Sequence, residues 1–214
     1  MTNNIKTNKI VLTCENILKI ISKYYNFTEC ESLENFVLPV SNSLPDNCGQ
    51  ILFEENPNED ELFIGIQFGK DIMQDFECNK IISLNSLAVV SEEISHFKIL
   101  IDTVQLNSSV SLLEVEMLGE IDRFLCLMHW NEDSKEQKIN NNWQNLHDIC
   151  DAVFTGNRFT GVNDKLYIEA EGMAFKHLKE AFSKEWDTSH YDFTQINSKA
   201  KTYLTKMRKN ILRA

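Results

Sequence analysis

Glu93 and His96 stand three residues apart in the stretch SEEISHFKIL, residues 91–100. On a helix that spacing makes the two side chains neighbours, so a carboxylate and an imidazole can converge on one ion or one substrate. Two further residues fall where helical phase turns a polar group inward. Glu114 coincides with the apolar stripe Leu118, Ile121 and Leu125, and a buried carboxylate without compensation holds a proton sooner than a charge. His177 shares a face with Leu166, Ala170, Met173 and Ala181. Glu93, His96, Glu114 and His177 are therefore the candidate pocket, either as ligands to Fe, Mn or Zn or as an acid–base set.

Each of these residues also has a plainer role. Di-iron carboxylate bundles take Glu-x-x-His from two helices and single glutamates from two others. This chain has the motif once, and His177-x-x-Glu180 runs in the reverse order. His96 can pack between helices with one hydrogen bond. Ser111-x-x-Glu114 is a complete capping box, with Val110 and Val115 to form a hydrophobic staple. A lone inward histidine such as His177 is usually a satisfied core residue. Glu116, Glu120 and Arg123 make a strip at i, i+4 and i+7, which reads as a solvated charged face.

The elements that must position these residues are legible from periodicity. Ile10, Cys14, Ile17, Leu18, Ile21 and Tyr24 lie on one side of a helix over 9–25. QILFE (50–54) and ELFIGIQF (61–68) flank ENPNED, a run of turn formers, and so predict a hairpin. FVLPV (36–40) contains Pro39 and can be an edge strand at best. A short helix over GKDIMQDF precedes a long one from about Asn85, whose Leu87, Val90, Ile94, Phe97, Ile101 and Val104 keep spacings of three and four. Val89, Ile99 and Leu100 form a second apolar side, which predicts a helix covered on two faces. The helix capped at Ser111 follows. After a polar gap at 131–141 comes a helix with Asn142 as cap and Gly156 as stop, then a long one over 163–186. The last helix aligns Phe193, Ile196, Ala200, Tyr203, Leu204, Met207 and Ile211. The small residues Ala170, Gly172, Ala174 and Ala181 permit close helix approach.

The expected fold is α+β and mostly helical: a small antiparallel hairpin or sheet over about 36–68, packed on a bundle of five to six helices. We expect a single domain over 1–214, with an N-terminal helix and sheet at 9–68, a bundle at 69–191 and a basic amphipathic helix at 193–212. Only 7 Gly and 3 Pro in 214 residues suit long regular elements.

Charge and cysteine usage narrow the classes. The net charge is −11, yet residues 193–214 hold six Lys/Arg and no Asp or Glu. An acidic body repels nucleic acid and anionic membrane. No run approaches the ~20 apolar residues of a membrane span, and MTNNIKTNKI is not a secretory signal. The six cysteines are scattered with no C-x-x-C pair, which predicts reduced thiols and a cytoplasmic protein. There is no phosphate-binding Gly loop, no G-x-S-x-G and no H-E-x-x-H.

EEISHFKIL followed by VSLLEVEMLGEIDRFL resembles a set of bacterial conserved hypothetical proteins, in which a Ser-His-Phe helix precedes a Leu-Glu-x-Glu…Glu-Ile-Asp-x-Phe helix. The match covers about residues 60–126 and carries Ser95, His96, Phe97, Leu113, Glu114, Glu116, Glu120, Asp122 and Phe124. The resemblance implies a bacterial origin and supplies no mechanism.

The functional expectation is a non-catalytic cytosolic adaptor, regulator or assembly subunit that needs no cofactor. It would act through a protein partner or self-association, with the C-terminal helix as one surface, although folding back on its own body is the plainer reading of that basic tail. The alternative is a metal-binding or acid–base enzyme, with Glu93, His96, Glu114 and His177 lining a pocket between helices 85–105, 111–131 and 163–186.

Overall fold

The structure is a computed structural model that describes residues 9–25, 32–40, 43–56, 61–135, 137–154 and 164–213. The chain is an α+β protein, mostly helical, with seven α-helices among the described residues.

Helix α1 spans Lys9–Ser22 and buries Ile10, Cys14, Ile17, Leu18 and Ile21, the stripe its periodicity predicts. Strands β1 (Gly49–Asn56) and β2 (Glu61–Phe68) pair antiparallel from Gly49↔Phe68 to Asn56↔Glu61. The segment 36–40 contributes less than an edge strand: Val37 makes one parallel bridge to Ile66. The bridge consists of two hydrogen bonds, Leu38 N–H to the Ile66 carbonyl at 2.8 Å and Ile66 N–H to the Phe36 carbonyl at 2.7 Å. Helix α2 spans Lys70–Cys78. Two two-residue strands, β3 (Ile81–Ile82) and β4 (Lys138–Ile139), form a small parallel pair that periodicity is too short to reveal.

Helices α3 (Leu84–Leu106) and α4 (Leu112–Asp133) form the central pair. Ser83 caps α3 by accepting from Ser86 N–H, and Asn107 ends it in a left-handed conformation at φ 49°. Asparagine tolerates that region better than most residues. Helix α5 spans Leu146–Val153, and its cap is Asn145 rather than the expected Asn142. The Asn145 side chain accepts from the His147 and Asp148 N–H groups, and Asp148 returns a bond to the Asn145 N–H. Only Asn145 has an acid three residues on to close the box. The expected stop at Gly156 lies outside the described residues. Helix α6 spans Asp164–Ala181, and α7, capped by Asn197, spans Ser198–Ile211. The last helix thus starts later than Phe193 and Ile196, which pack against the core from the preceding turn.

Every residue of α4 from Glu116 to Trp130 is buried. A helix hidden on all sides needs cover on all sides, and α1, α3, α5 and α6 supply it. This corrects the reading of Glu116, Glu120 and Arg123 as a solvated strip. They are 8%, 4% and 2% exposed, because partners on other elements replace water. The close helix approach is also placed differently. Ala170, Ala174 and Ala181 are buried, but Gly172 is exposed with nothing near its missing side chain.

Helix α7 folds back on the chain's own body and buries Ala200, Leu204, Met207 and Arg208. Arg208 donates to Asp122 at 3.1 Å and Asp102 at 3.4 Å, and its guanidinium lies 4.8 Å from the centre of the Tyr25 ring. Ser95 donates to the same Asp122 oxygen at 2.6 Å, and Lys98 pairs with Asp102. The apolar face that sequence offered to a partner is therefore spent internally. Cys14, Cys48, Cys78, Cys126 and Cys150 form no disulfides. Among the described residues, no helix is long and apolar enough to cross a membrane.

Candidate metal centre

Helices α3 and α4 can approach closely because α4 carries Gly119 where α3 carries His96. A Cβ built on Gly119 would stand 2.7 Å from His96 Nε2. The imidazole fills the space a side chain would take, and its two nitrogens face carboxylates. Nε2 is 3.6 Å from Glu116 Oε2, and Nδ1 is 3.9 Å from Glu93 Oε2. Glu92, one turn before His96, faces the same space. One ligand atom from each of Glu92, His96 and Glu116 lies within 4.8 Å of the others.

Arg123 closes one flank. It is within 3.4 Å of Glu92 Oε2, forms an ion pair with Glu120, and donates to the carbonyl of Val153 at 2.7 Å. Opposite, the backbone of β1 covers Glu93: a Cβ on Gly49 would lie 2.5 Å from Glu93 Cγ. Four carboxylates thus surround one guanidinium and one imidazole.

The electrostatics follow from burial and crowding. Burial, then the charges of Glu92 and Glu116, pushes Glu93 up to about 8. Burial, then Glu92 and Glu120, pushes Glu116 up to about 7. Burial lowers His96 to about 4 against the opposing pull of Glu120, so the ring is neutral at pH 7. Tyr167 on α6 is raised by its own burial and by Glu116, Glu92 and Glu93, which marks α6 as a further wall. A neutral imidazole has one nitrogen lone pair to give. Among the described residues, the buried Nε2 finds no hydrogen-bond partner.

The set expected from sequence is only partly assembled. His96 is at the centre, with Glu93 beside its Nδ1. Glu114 is a cap: its carboxylate accepts from the Ser111 N–H at 2.8 Å and hydroxyl at 2.7 Å, while its own N–H donates to Ser111 Oγ at 3.3 Å. The capping box wins because it satisfies donors at the helix end without moving the carboxylate inward. His177 pairs with Tyr203 on α7 at 2.8 Å, and Tyr203 donates to Glu180 at 3.0 Å. His177 is ten residues beyond Tyr167, about 15 Å along α6. The pocket of Glu93, His96, Glu114 and His177 is therefore not formed, and Glu92, Glu116, Glu120 and Arg123 take the missing places. Their available signal was spacing: Glu92 and His96 at i, i+4, facing an i, i+4, i+7 strip.

His129 also escaped sequence reading. Its Nδ1 lies 2.9 Å from the carbonyl of Phe193 and its Nε2 2.8 Å from the Tyr24 hydroxyl. A carbonyl only accepts, so Nδ1 carries the proton and Nε2 accepts from Tyr24. Burial and then the charge of Lys23 lower this histidine to about 4, while the Phe193 carbonyl and Asp133 oppose. The unfolded chain gains a proton below about 6.5 and the folded chain only near 4, so folding loses stability as pH falls through that interval. At pH 5 the loss from His129 is about 2 kcal/mol. In His129→Gln, the stability difference between pH 7 and pH 5, measured by urea unfolding, should shrink by that amount. An unchanged difference would refute the assignment.

Comparison with protein-family models, with curated proteins and with solved structures finds no significant match, so the chemistry of this site rests on its own geometry.

Proposed function

We propose that the chain binds a divalent transition-metal ion between α3 and α4, held by Glu92, His96 and Glu116. The observation that carries this reading is the buried Nε2 of neutral His96. It has no hydrogen-bond partner among the described residues and faces Glu116 at 3.6 Å, with Glu92 in reach. A buried nitrogen left without a partner costs about 1–3 kcal/mol, and coordination would remove that cost. Ligand bonds of about 2.0–2.2 Å allow donor atoms to lie no more than roughly 4.4 Å apart. The three donor atoms lie within 4.8 Å of one another, so small side-chain rotations suffice to bring them to ligand distance.

Charge supports the same reading. Glu92, Glu93, Glu116 and Glu120 crowd one region with Arg123 as the permanent cation, and a divalent ion supplies the missing positive charge. Glu93, beside the other ring nitrogen, stands where carboxylates commonly orient a metal-bound histidine. One nitrogen and two oxygens suit Mn2+, Fe2+ or Zn2+. Three protein ligands leave positions for water or substrate, which fits a catalytic or sensing centre better than a closed structural one.

The test is metal content. Protein purified without chelator and then equilibrated with Mn2+, Fe2+ or Zn2+ should hold one equivalent. His96→Ala and Glu116→Gln should hold below about a tenth of one, since the ligand count falls to two. Wild type at that low level would overturn the reading. A second reading, an adaptor acting through protein contacts, is favoured by Phe53 and Phe63, which are 67% and 57% exposed on the hairpin. Large exposed aromatics are the usual anchors of protein interfaces.

A further inference from the structure

We infer that Arg123 stands as a fixed cation where a second metal ion would sit, so that this carboxylate cluster takes one divalent ion and not two. The inference rests on the metal-binding reading and specifies the centre's composition.

Paired metal ions sit about 3.5–4 Å apart and share carboxylates between them. The cluster has carboxylates enough for such a pair, because Glu92, Glu116 and Glu120 converge from two helices. Glu92 is the residue that a second ion would share with the first. Its Oε2 instead faces Arg123 NH1 at 3.4 Å, while the other arm of the same guanidinium is paired with Glu120. The guanidinium thus bridges α3 and α4 as a bridging ion would. It is also anchored from outside the pair, through its hydrogen bond to the Val153 carbonyl at the end of α5.

Three properties make this occupancy permanent. Arginine keeps its proton at every accessible pH, so its charge cannot be switched off to admit a cation. It is 2% exposed, so it cannot swing to water without opening the core. The Val153 carbonyl would lose a buried donor if it left. Glu92, Glu93, Glu116 and Glu120 bring at most four negative charges, which one divalent ion and one guanidinium do not exceed. A second divalent ion would leave the site with surplus positive charge in a medium where like charges repel strongly. Arg123 is on this account a positioning residue: it holds Glu92 toward the metal and does not itself bind it.

The experiment is a titration with Mn2+ to saturation, read by elemental analysis and by electron paramagnetic resonance. Wild type should bind one ion per chain and show the six-line spectrum of isolated Mn2+. Arg123→Gln should bind two, with an exchange-coupled spectrum, whereas Arg123→Lys, which keeps the charge, should stay at one. Two coupled ions in wild type would overturn the inference and leave the metal reading standing. One ion in Arg123→Gln would overturn it equally, since Arg123 would then exclude nothing. No ion in wild type would sink the metal reading itself and this inference with it. If Arg123→Gln fails to fold, wild type labelled with 15N-arginine decides. Electron–nuclear double resonance should show a guanidinium nitrogen coupled to a single Mn2+, and an absent coupling would overturn the assignment.

Discussion

Gly119→Ala should abolish metal binding and destabilise the fold, although glycine to alanine inside a helix ordinarily stabilises by about 1 kcal/mol. The new methyl would stand 2.7 Å from His96 Nε2 and 3.2 Å from its Cδ2. The first distance is too short for non-bonded contact and the second is tight, so the ring must turn or α3 and α4 must separate. Overpacking of this kind costs about 1–3 kcal/mol, enough to cancel the propensity gain. The same displacement removes Nε2 from Glu116 and Glu92, so Mn2+ content should fall below about a tenth of an equivalent, as expected when one of three ligands is lost. Thermal unfolding with and without added Mn2+ reads both effects. A variant that melts higher than wild type and still binds metal would show that the imidazole has room to spare, and the proposed centre would fail. Gly172→Ala is the natural control. Its position is open, so it should show the ordinary helix gain.

Asp122→Ala should cost about 3–5 kcal/mol, the range for breaking a buried ion pair by removing one partner. Asp122 is wholly buried, and its Oδ2 accepts from both Ser95 and Arg208. Burial raises its pKa against the pull of Arg208, so the carboxylate depends on these partners to remain ionised. Without it, Arg208 keeps a charge inside the core and loses its shorter carboxylate contact, keeping the one to Asp102 at 3.4 Å. The loss should appear first in α7, because Arg208 is the polar link from that helix to α3 and α4. Amide exchange in residues 198–211 should therefore accelerate more than in α1 or α4. Replacing Asp122 and Arg208 together with Leu and Met should recover much of the loss, since apolar groups of similar size leave no stranded charge. A single-variant cost under about 1 kcal/mol, the level of an exposed pair, would show that Arg208 and Asp122 do not hold the helix down.

These two sites differ in how far they could be read in advance. Ser111 and Glu114 were legible as a capping box because the interaction spans three residues and uses groups whose positions the helix itself sets. The stripe of α1 and the antiparallel pairing of β1 with β2 were legible for the same reason, since each rests on a local periodicity. Helical phase also put His96 inside, given cover for the second face of α3. It could not choose between Glu92 and Glu93. Both lie within one turn of His96, and the choice depends on where α4 passes.

Pairing across the fold lay beyond sequence. Glu116, Glu120 and Arg123 have the composition of a solvated strip, and hydrophobic periodicity has no way to register a charge whose water is replaced by another charge. Their burial depends on Glu92, 31 residues before Arg123, and on the carbonyl of Val153, 30 residues after it. Arg208 reaches Asp122 across 86 residues, and His129 reaches Phe193 across 64. The sequence by itself determined which segments are helices, where most of them start, and that a hairpin precedes the bundle, because those outcomes follow from short-range hydrogen bonding and apolar spacing. Only the tertiary structure decided which polar residues meet. A buried charge survives by finding a partner, and partners are chosen by the packing of whole helices rather than by neighbours along the chain.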